Sequence, residues 1–240
     1  MKRLALIAVL LLFSPSAFAD PIDDETEVEI NDPLEPINRG VFTFNSYADK
    51  YVLRPVAVGY KFIIPGWGRQ RVTNVFYNLG EPVTMVNSAI QGDPENSFTS
   101  LWRFLINSTV GIAGVFDAAT PLGLKEHRED FGQTLGRFGY TNPPYLVLPL
   151  LGPSTLRDSI GLVVDYYSNP FYNGMVIDDD TTLLVMGVVN GVDKRANILS
   201  LTDDIERSSL DPYTTYRSYY MQNRESKINN SQDQKAITNY

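Results

Sequence analysis

The chain has 240 residues, of which 43% are hydrophobic, and a formal net charge of −8 from 20 basic and 28 acidic side chains. This length suits one large domain or two small ones. The acidic balance argues against nucleic-acid binding, which needs clustered lysine and arginine to contact phosphates. It also argues against a chain held on a membrane by general attraction to anionic lipid.

The N-terminus has the pattern of a secretory signal peptide. Lys2 and Arg3 precede an unbroken apolar run, Leu4–Phe13, and Ala17–Ala19 then offers the small residues that a signal peptidase cuts after. The apolar run is about 10 residues long, whereas a membrane-spanning helix needs roughly 20. We therefore expect residues 1–19 to be removed, which leaves 18 basic and 28 acidic side chains and a net charge of −10.

The mature chain is predicted to have three parts. Residues 20–31 are rich in Asp and Glu and form a solvated acidic leader. Residues 32–227 form one helical domain, and residues 228–240, which are polar and lack periodicity, form a disordered tail. Since the chain has no cysteine, an exported protein of this sequence must be held together by packing rather than by disulfides.

Helix start signals and 3.6-residue spacing recur through the domain. The predicted starts are Glu81-Pro82, Asp93-Pro94, Leu156, Asp178–Asp180 and Asp211-Pro212. A short separate helix is predicted over Val72–Leu79, ahead of the one that starts at Glu81. No hairpin signal of the Asn-Gly type lies between alternating strands. The expected fold is an all-α single domain of amphipathic helices.

The apolar stripes of these helices allow two interpretations. A stripe can face a protein core, or it can lie in a membrane interface with its aromatic rings at headgroup level. The spacing does not separate the two for any one helix. The main stripes are Val83, Val86 and Ile90; Phe98, Leu101, Trp102, Leu105 and Ile106; Leu156, Ile160, Val163, Val164 and Tyr167; Val185, Val188, Val189, Val192, Ala196 and Leu199; and Tyr213, Tyr216 and Tyr220.

Signals for catalysis are weak. The one histidine, His127, stands in the charged run 125–130 and is expected to be a surface or capping residue. The stretch 152–156 lacks the second glycine of a G-x-S-x-G nucleophile elbow. No phosphate-binding or dinucleotide-binding glycine motif is present, and one histidine without cysteine makes a zinc site improbable. We therefore predict a protein that is not an enzyme and that uses no metal or cofactor.

Short motifs in a fixed order carry a family resemblance. Taken together, they resemble the MlaA (VacJ) family of phospholipid-transport proteins of the Gram-negative outer membrane, over about residues 32–224. The motifs are DPLEPIN (32–38), RPVA (54–57), NLGEPVTMVN (78–87), QGDP (91–94), FGQTLGRFGY (131–140), PPYLVLPLLGPSTLRD (143–158) and DPYTTYRSYY (211–220).

The resemblance implies a compact, ring-like helical domain in the inner leaflet of the outer membrane, with a central amphipathic channel. Phospholipid that has strayed into the outer leaflet would enter this channel and pass to a periplasmic lipid carrier, which maintains lipid asymmetry. The implied partners are phospholipid, an outer-membrane porin trimer and that carrier of the Mla type, with no role for nucleic acid.

The same resemblance gives a reason for the apolar but irregular stretch Phe138–Pro153, which is rich in glycine and proline. It implies a hairpin-like element beside the channel, where apolar walls would contact acyl chains. The residues expected to line the lipid path or its gate are Phe138, Tyr140, Tyr145, Leu146 and Leu148, with Gly136 and Gly139 as hinges. The alternative is an irregular loop that only packs over the helical core.

One departure from the family pattern concerns anchoring. Family members commonly carry a lipid-modified cysteine after the signal, and this sequence has Ala19-Asp20 there. We therefore expect a protein at the periplasmic face of the outer membrane, anchored by helix faces and a porin rather than by acyl chains. The alternatives are a soluble periplasmic protein that binds lipid or a porin without translocation, and a periplasmic hydrolase with a carboxylate site.

Overall fold

The computed structural model describes residues 30–238, with side chains through residue 229. The predicted signal peptide and nearly all of the acidic leader lie outside the described residues. The helices are α1 Glu35–Ala48, α2 Arg54–Ile63, α3 Gly66–Ile90, α4 Pro94–Thr109, α5 Phe131–Arg137, α6 Leu156–Ser168, α7 Asp180–Asn197, α8 Leu199–Ser208 and α9 Pro212–Thr238. A π-helical turn, Asp49–Leu53, joins α1 to α2, and Thr120–Leu122 forms a 3₁₀ turn.

The prediction of an all-α fold is confirmed, and the two described strands form the hairpin-like element that the family resemblance implied. Strands β1 Tyr145–Leu148 and β2 Gly152–Thr155 pair antiparallel, with Tyr145 opposite Thr155 and Leu148 opposite Gly152. The turn between them uses Leu150 at φ 64° and Gly152 at φ 85°. The usual Asn-Gly signal is absent from this turn, because Leu150 supplies the positive φ that the turn requires.

The predicted break at Glu81-Pro82 is also wrong, because α3 runs through it. Pro82 cannot donate a backbone hydrogen bond to the preceding turn, which usually ends or kinks a helix. Here the neighbouring helix compensates, since Arg103 of α4 donates from Nε to Glu81 Oε1 at 2.8 Å and both side chains are buried. This buried ion pair holds α3 against α4 at the point where Pro82 interrupts the backbone hydrogen bonds of α3.

Helices α5 and α6 cross at a pair of glycines. A β-carbon at Gly161 of α6 would overlap the backbone of Gly132 in α5. A β-carbon at Gly132 would in turn come within 2.5 Å of Asp158 Oδ1. The two backbones can approach this closely only because neither residue has a side chain.

The helices expose most of their apolar stripes. Of the predicted stripes, those on α3, α4, α6 and α7 carry exposed members, so the interpretation that they face a core is wrong for these positions. The exposed members include Val86, Ile90, Phe98, Trp102, Leu105, Ile160, Val163, Tyr167, Val185, Val188 and Val189. The stripe on α9 behaves differently, since Tyr213 and Tyr220 are buried beside Tyr145 and Val147.

The faces that the same helices bury are polar. The buried positions of α3 are all polar, and those of α4 are Ser100, Arg103 and Asn107. On α3 they are Asn78, Glu81, Thr84, Asn87 and Ser88. Soluble domains bury apolar residues and expose polar ones. This chain reverses that order over much of its described surface, which is the arrangement expected where the surroundings are apolar.

Helix α9 passes through the predicted domain boundary at residue 227. Its first part follows the predicted start at Asp211-Pro212, and its backbone stays helical to Thr238. Ile228, the first residue of the predicted tail, is buried and lies close to Gly136 of α5. The packed part of the chain therefore extends past residue 227.

Candidate functional site: a polar cavity behind the hairpin

The helices that expose apolar stripes and bury polar faces form what we call the reversed shell. A cavity of about 250 Å³ lies inside it. Its walls come from α3, the 126–130 segment, the hairpin and helices α6, α7 and α9. One side carries apolar and aromatic side chains, among them Phe76, Leu148, Leu151, Leu162 and Tyr166, and the other carries charged groups. The cavity is smaller than the about 300–1,000 Å³ of sites that enclose a whole drug-sized ligand, so it suits one part of a larger molecule.

A second cavity, of about 140 Å³, adjoins the first. It is bounded by α1, the π-helical turn, the hairpin turn and helices α7 to α9. Leu151, Pro153, Lys194 and Tyr220 border both cavities. The hairpin turn therefore lies between the two spaces.

Lys194 is the basic side chain at this junction. Its side chain is half-buried and borders both cavities. Burial, together with the positive charge of Arg128, lowers the pKa of the Lys194 ammonium to about 7. A negatively charged group entering either cavity would favour the protonated form and would be attracted to it.

Arg128 is held in a fixed orientation on the charged wall. Its guanidinium lies over the ring of Tyr77, 3.2 Å from the centroid, and its Nε donates to Glu126 Oε1 at 3.0 Å. A planar guanidinium stacked on an aromatic ring keeps its remaining N–H groups directed sideways. Arg128 and Lys194 are thus two basic side chains on a cavity wall that also carries carboxylates, and the ammonium of Lys194 is only partly charged near pH 7.

Arg224 of α9 is the centre of a buried ionic network. Its Nη1 and Nη2 donate to both oxygens of Asp130, at 2.6 and 2.8 Å, and Nη2 also donates to Asp158 Oδ1 at 2.7 Å. Tyr220 and Arg157 donate to Asp158 as well. Burial would raise the pKa of Asp158, but Arg224 and Arg157 outweigh it and hold that pKa well below its usual range.

Asp165 of α6 has a raised pKa, in contrast to the lowered pKa of Asp158. It accepts hydrogen bonds from Phe131 N at 3.0 Å and from Asn87 Nδ2 at 3.0 Å, but no cation pairs with it directly among the contacts described. Burial, and then the negative charge of Asp130, raises its pKa to about 7. The carboxyl group therefore changes charge near neutral pH inside the cavity wall.

The raised pKa of Asp165 predicts in which direction the stability of the protein changes with pH. Between the unfolded pKa of 3.8 and the folded pKa of about 7, the folded chain holds more protons at Asp165 than the unfolded chain does, so stability falls as pH rises through this window. We expect Asp165→Asn to remove that fall and to raise the melting temperature at pH 8 by several degrees. Melting curves at pH 5 and pH 8 check this, and a variant that is less stable than the native chain at both would contradict it.

Two asparagines of α1 fasten the hairpin. Asn38 donates to Tyr145 O at 3.0 Å and accepts from Val147 N at 2.9 Å. Asn45, two helical turns later, donates to Leu148 O at 2.9 Å and accepts from Leu150 N at 2.7 Å. These side chains satisfy the free edge of β1 as a neighbouring strand would.

The structure separates the predicted path residues. Leu148 lines the first cavity, whereas Tyr145 is 0% exposed within the tyrosine core. Phe138 is 66% exposed on the outer surface, and Tyr140 and Leu146 are half-buried away from both cavities. A direct role in the lipid path stays a prediction for all five, and Leu148 is the one whose position supports it.

The two predicted hinges have structural contacts of their own. Gly139, at φ 100°, ends α5 in a Schellman motif, in which Tyr140 N donates to Leu135 O at 3.1 Å and Gly139 N donates to Gly136 O at 3.0 Å. Gly136 is buried, and a β-carbon there would lie 2.6 Å from Ile228 Cδ1. Hinge motion at these glycines remains a prediction.

His127 is not the surface residue that was expected. It is half-buried, and its Nε2 lies 3.3 Å from Ser88 Oγ. Burial lowers the pKa of its imidazole. Ser88 is 0% exposed and does not line the cavity, and His127 Nδ1 has no hydrogen-bond partner, so the pair lacks the accessible nucleophile and the orienting acid of a catalytic triad.

Two negative findings apply to the part of the chain that the structure describes. No described helix combines the length and apolar character needed to cross a bilayer. No group of three or more His, Cys, Asp or Glu side chains in that part is placed to hold a metal ion.

Sequence reasoning missed the charged cavity wall. Lys194 stands in the run Asp193-Lys194-Arg195, which looks like a solvated last turn of helix, and Asp165 is a polar residue in the mostly apolar second half of α6. A signal was nevertheless present, because Asp158 and Asp165 are seven residues apart and share one helix face. The spacing places these two acids together, but only the fold shows that their face is the interior one.

Comparison with known proteins gives consistent matches. A sequence model of the family described as MlaA lipoprotein matches residues 30–227. The intermembrane phospholipid transport system lipoprotein MlaA of Haemophilus influenzae is 36% identical over 230 residues, which cover 93% of this chain and 90% of that protein. The protein of the same name from Escherichia coli is 37% identical over 198 residues, covering 80% and 76%.

A protein of unassigned function and a solved structure extend these matches. An uncharacterized protein of Rickettsia bellii is 39% identical over 201 residues, which cover 83% of this chain and 78% of that protein. A structure described as "Structural basis for maintenance of bacterial outer membrane lipid asymmetry" superposes with a TM-score of 0.72 at 35% identity, covering 82% of this chain and 99% of that chain.

Proposed function

Because the chain belongs to the MlaA lipoprotein family, we propose that it is a non-enzymatic phospholipid-transport protein that maintains the lipid asymmetry of the outer membrane. It takes mislocalised phospholipid from the outer leaflet, moves it through the two adjoining cavities and passes it to a periplasmic carrier. The observation that carries this proposal is the reversed shell, with apolar side chains outside and a charged cavity inside.

The two surfaces suit the two parts of a phospholipid. The exposed stripes are compatible with acyl chains, since burying apolar area in an apolar medium is favourable at about 25 cal/mol per Å². The interior supplies Arg128 and Lys194 for a phosphate. A phospholipid could place its headgroup in the cavity while its acyl chains contact the exposed stripes. The cavity then needs room only for the headgroup, which is why a small cavity can bind a large lipid.

The exposed apolar helix faces also support a proposal for the location. We place the protein at the periplasmic face of the outer membrane, beside a porin trimer, with the helix faces providing attachment. We propose attachment without a lipid-modified cysteine, because the sequence given contains no cysteine. The family resemblance supports the porin and the carrier as partners.

The test is a charge reversal at the junction of the cavities. We expect Lys194→Glu to leave cells sensitive to detergent, with phospholipid accumulating in the outer leaflet, while the protein keeps its normal abundance. The reason is that a carboxylate there repels a phosphate. Lys194→Arg retains the charge and is expected to retain function.

Lys125→Glu is the matched control, because Lys125 is exposed and does not line either cavity. It should preserve the outer-membrane barrier. If Lys194→Glu behaves like Lys125→Glu at equal abundance, the cavity is not the lipid path and the proposal fails.

The main alternative is a soluble periplasmic protein that binds lipid or a porin without translocating it. Flotation separates the two, since a transport channel rises with outer-membrane vesicles and a soluble binder stays with the periplasmic fraction. The exposed aromatic and aliphatic side chains favour the membrane-bound form, because soluble monomers rarely expose large contiguous apolar surface.

A further inference from the structure

The wall of the first cavity carries more acidic than basic side chains. Among the described residues, six carboxylates border this cavity, against three strongly basic side chains and one histidine. The carboxylates are Glu81, Glu126, Glu129, Asp130, Asp158 and Asp165, and the basic side chains are Arg128, Lys194 and Arg224. Acids in this number repel a ligand that brings only negative charge. A ligand that carries a positive charge beside its phosphate matches the wall better.

Four of the six acids already have a basic partner in the protein. The pairs are Arg224 with Asp130 at 2.6 Å and with Asp158 at 2.7 Å, Arg103 with Glu81 at 2.8 Å, and Arg128 with Glu126 at 3.0 Å. A fifth acid, Glu129, accepts a hydrogen bond from Gln91 Nε2 at 2.9 Å. The four paired carboxylates have less to offer a cation that enters the cavity, because their charge is offset from within.

Asp165 is held by neutral donors instead. Phe131 N lies 3.0 Å from its Oδ2, and Asn87 Nδ2 lies 3.0 Å from its Oδ1. These donors come from α5 and α3, so they fix the carboxylate of α6 in one orientation on the cavity wall. An ionised carboxylate can accept about four hydrogen bonds. Asp165 therefore keeps capacity for the donors of a ligand.

We infer that Asp165 receives the ammonium of a phospholipid headgroup whose phosphate pairs with Lys194 or Arg128, so that the cavity selects phosphatidylethanolamine. This inference deepens the proposed function and rests on it, since it names the lipid class that the same cavity takes. A primary ammonium brings three N–H donors together with a positive charge, and charge-assisted hydrogen bonds to a carboxylate are the strong ones. The wall then pairs with both charges of a zwitterion.

Other common headgroups leave part of this wall unmatched. Phosphatidylglycerol brings a phosphate and no cation, so Asp165 gains no charged partner and repels the lipid. Phosphatidylcholine carries a positive charge, but its trimethylammonium has no N–H group to donate. A site built to hydrogen-bond a ligand group discriminates against an analogue that lacks this group, because the acceptor is left unpaired. The raised pKa of Asp165 agrees with this role, since an ammonium beside it would favour the charged carboxylate.

The test measures which headgroup the purified protein selects. The protein in detergent is incubated at neutral pH with equal amounts of phosphatidylethanolamine, phosphatidylcholine and phosphatidylglycerol that share the same acyl chains. Native mass spectrometry then counts the bound lipids. Lys194→Glu, which should keep a phosphate out of the cavity, measures the lipid that binds only to the exposed stripes, and its counts are subtracted. We expect phosphatidylethanolamine to exceed phosphatidylglycerol by about tenfold, since hydrogen bonds to charged groups are worth that much.

Asp165→Asn tests the assignment to this residue. The amide keeps an oxygen that can accept from Phe131 N, but it has no charge to attract an ammonium. The three lipids should then bind within about twofold of one another, with phosphatidylglycerol gaining because the repulsion is lost. The matched control is Asp204→Asn, at an exposed acid that borders neither cavity, and it should keep the native ratios. Melting curves establish that both variants are folded.

The ways in which this test can fail are distinguishable. If Lys194→Glu binds as much lipid as the native protein, the cavity holds no headgroup, and the proposed function fails together with the inference. If the bound lipid depends on Lys194 but shows no headgroup preference, the inference is wrong and the proposed function stands. A preference that survives Asp165→Asn would overturn the assignment of the ammonium to Asp165.

Discussion

Arg224→Met is expected to destabilise the protein by about 3–5 kcal/mol, because it leaves the buried Asp158 and the partly exposed Asp130 without their shared cation. The free energy of unfolding of a native domain is about 5–15 kcal/mol in total, so much of the population would unfold or be degraded. Thermal unfolding of the purified variant and its abundance in cells measure the effect.

The same substitution should change the response to acid. In the native chain, the lowered pKa of Asp158 contributes stability above the unfolded value near 3.8, and this stability is lost as pH falls toward the folded pKa. Without Arg224, that pKa rises and the contribution shrinks, so the variant's deficit should be largest at neutral pH and smaller below pH 4.

Arg207→Met is the matched control. Arg207 is mostly exposed and lies 4.0 Å from Asp203, so its loss should cost no more than about 1 kcal/mol. Adding Asp158→Asn to Arg224→Met should recover part of the lost stability, since one uncompensated charge is removed. An Arg224→Met variant as stable as Arg207→Met would show that the network contributes little.

Asn45→Ala is expected to release the hairpin turn without unfolding the domain. It removes the two hydrogen bonds that hold Leu148 and Leu150, each worth about 1 kcal/mol, so local opening should become about ten- to thirtyfold more frequent. Leu150, with its positive φ of 64°, is strained and should relax when it is freed. Since this turn stands between the two cavities, the outer-membrane barrier should weaken at normal protein abundance.

Hydrogen exchange measures the opening directly. The Leu150 amide should exchange faster in Asn45→Ala, while Val147, held by Asn38, should keep its protection. Thr43→Ala is the control, because Thr43 bonds only to the carbonyl of Arg39 in its own helix among the contacts described. Unchanged exchange at Leu150 would mean that Asn45 does not hold the turn and that the gate must lie elsewhere.

Local signals in the sequence predict the helix starts well because each start depends on a few neighbouring atoms. Asp93 caps α4 by accepting from Asn96 N at 3.1 Å, and α9 begins at Pro212 as expected. The same reasoning gave a wrong helix start at Pro82. The missing backbone hydrogen bond there is offset by the Glu81–Arg103 ion pair, and Arg103 lies outside the local sequence around Pro82.

The candidate site was harder to predict because it depends on which face of each helix is interior. The spacing of Phe98 and Trp102 identifies a stripe but carries no information on whether water, protein or lipid covers it. The family resemblance pointed to the hairpin, of which Leu148 does reach the cavity. Lys194 became visible only once the fold placed α7 beside the hairpin turn.

The reversed shell also has a calorimetric consequence. A large heat-capacity increase on unfolding, about 12–15 cal/mol/K per residue, arises when apolar core residues become hydrated. Here many apolar side chains already lie on the outside, and the buried interior is rich in Asn, Gln, Thr, Arg and Asp. Hydration of polar groups lowers the heat capacity. In detergent, the free energy of unfolding of this protein should therefore vary with temperature along a flatter curve than that of a soluble domain of the same length.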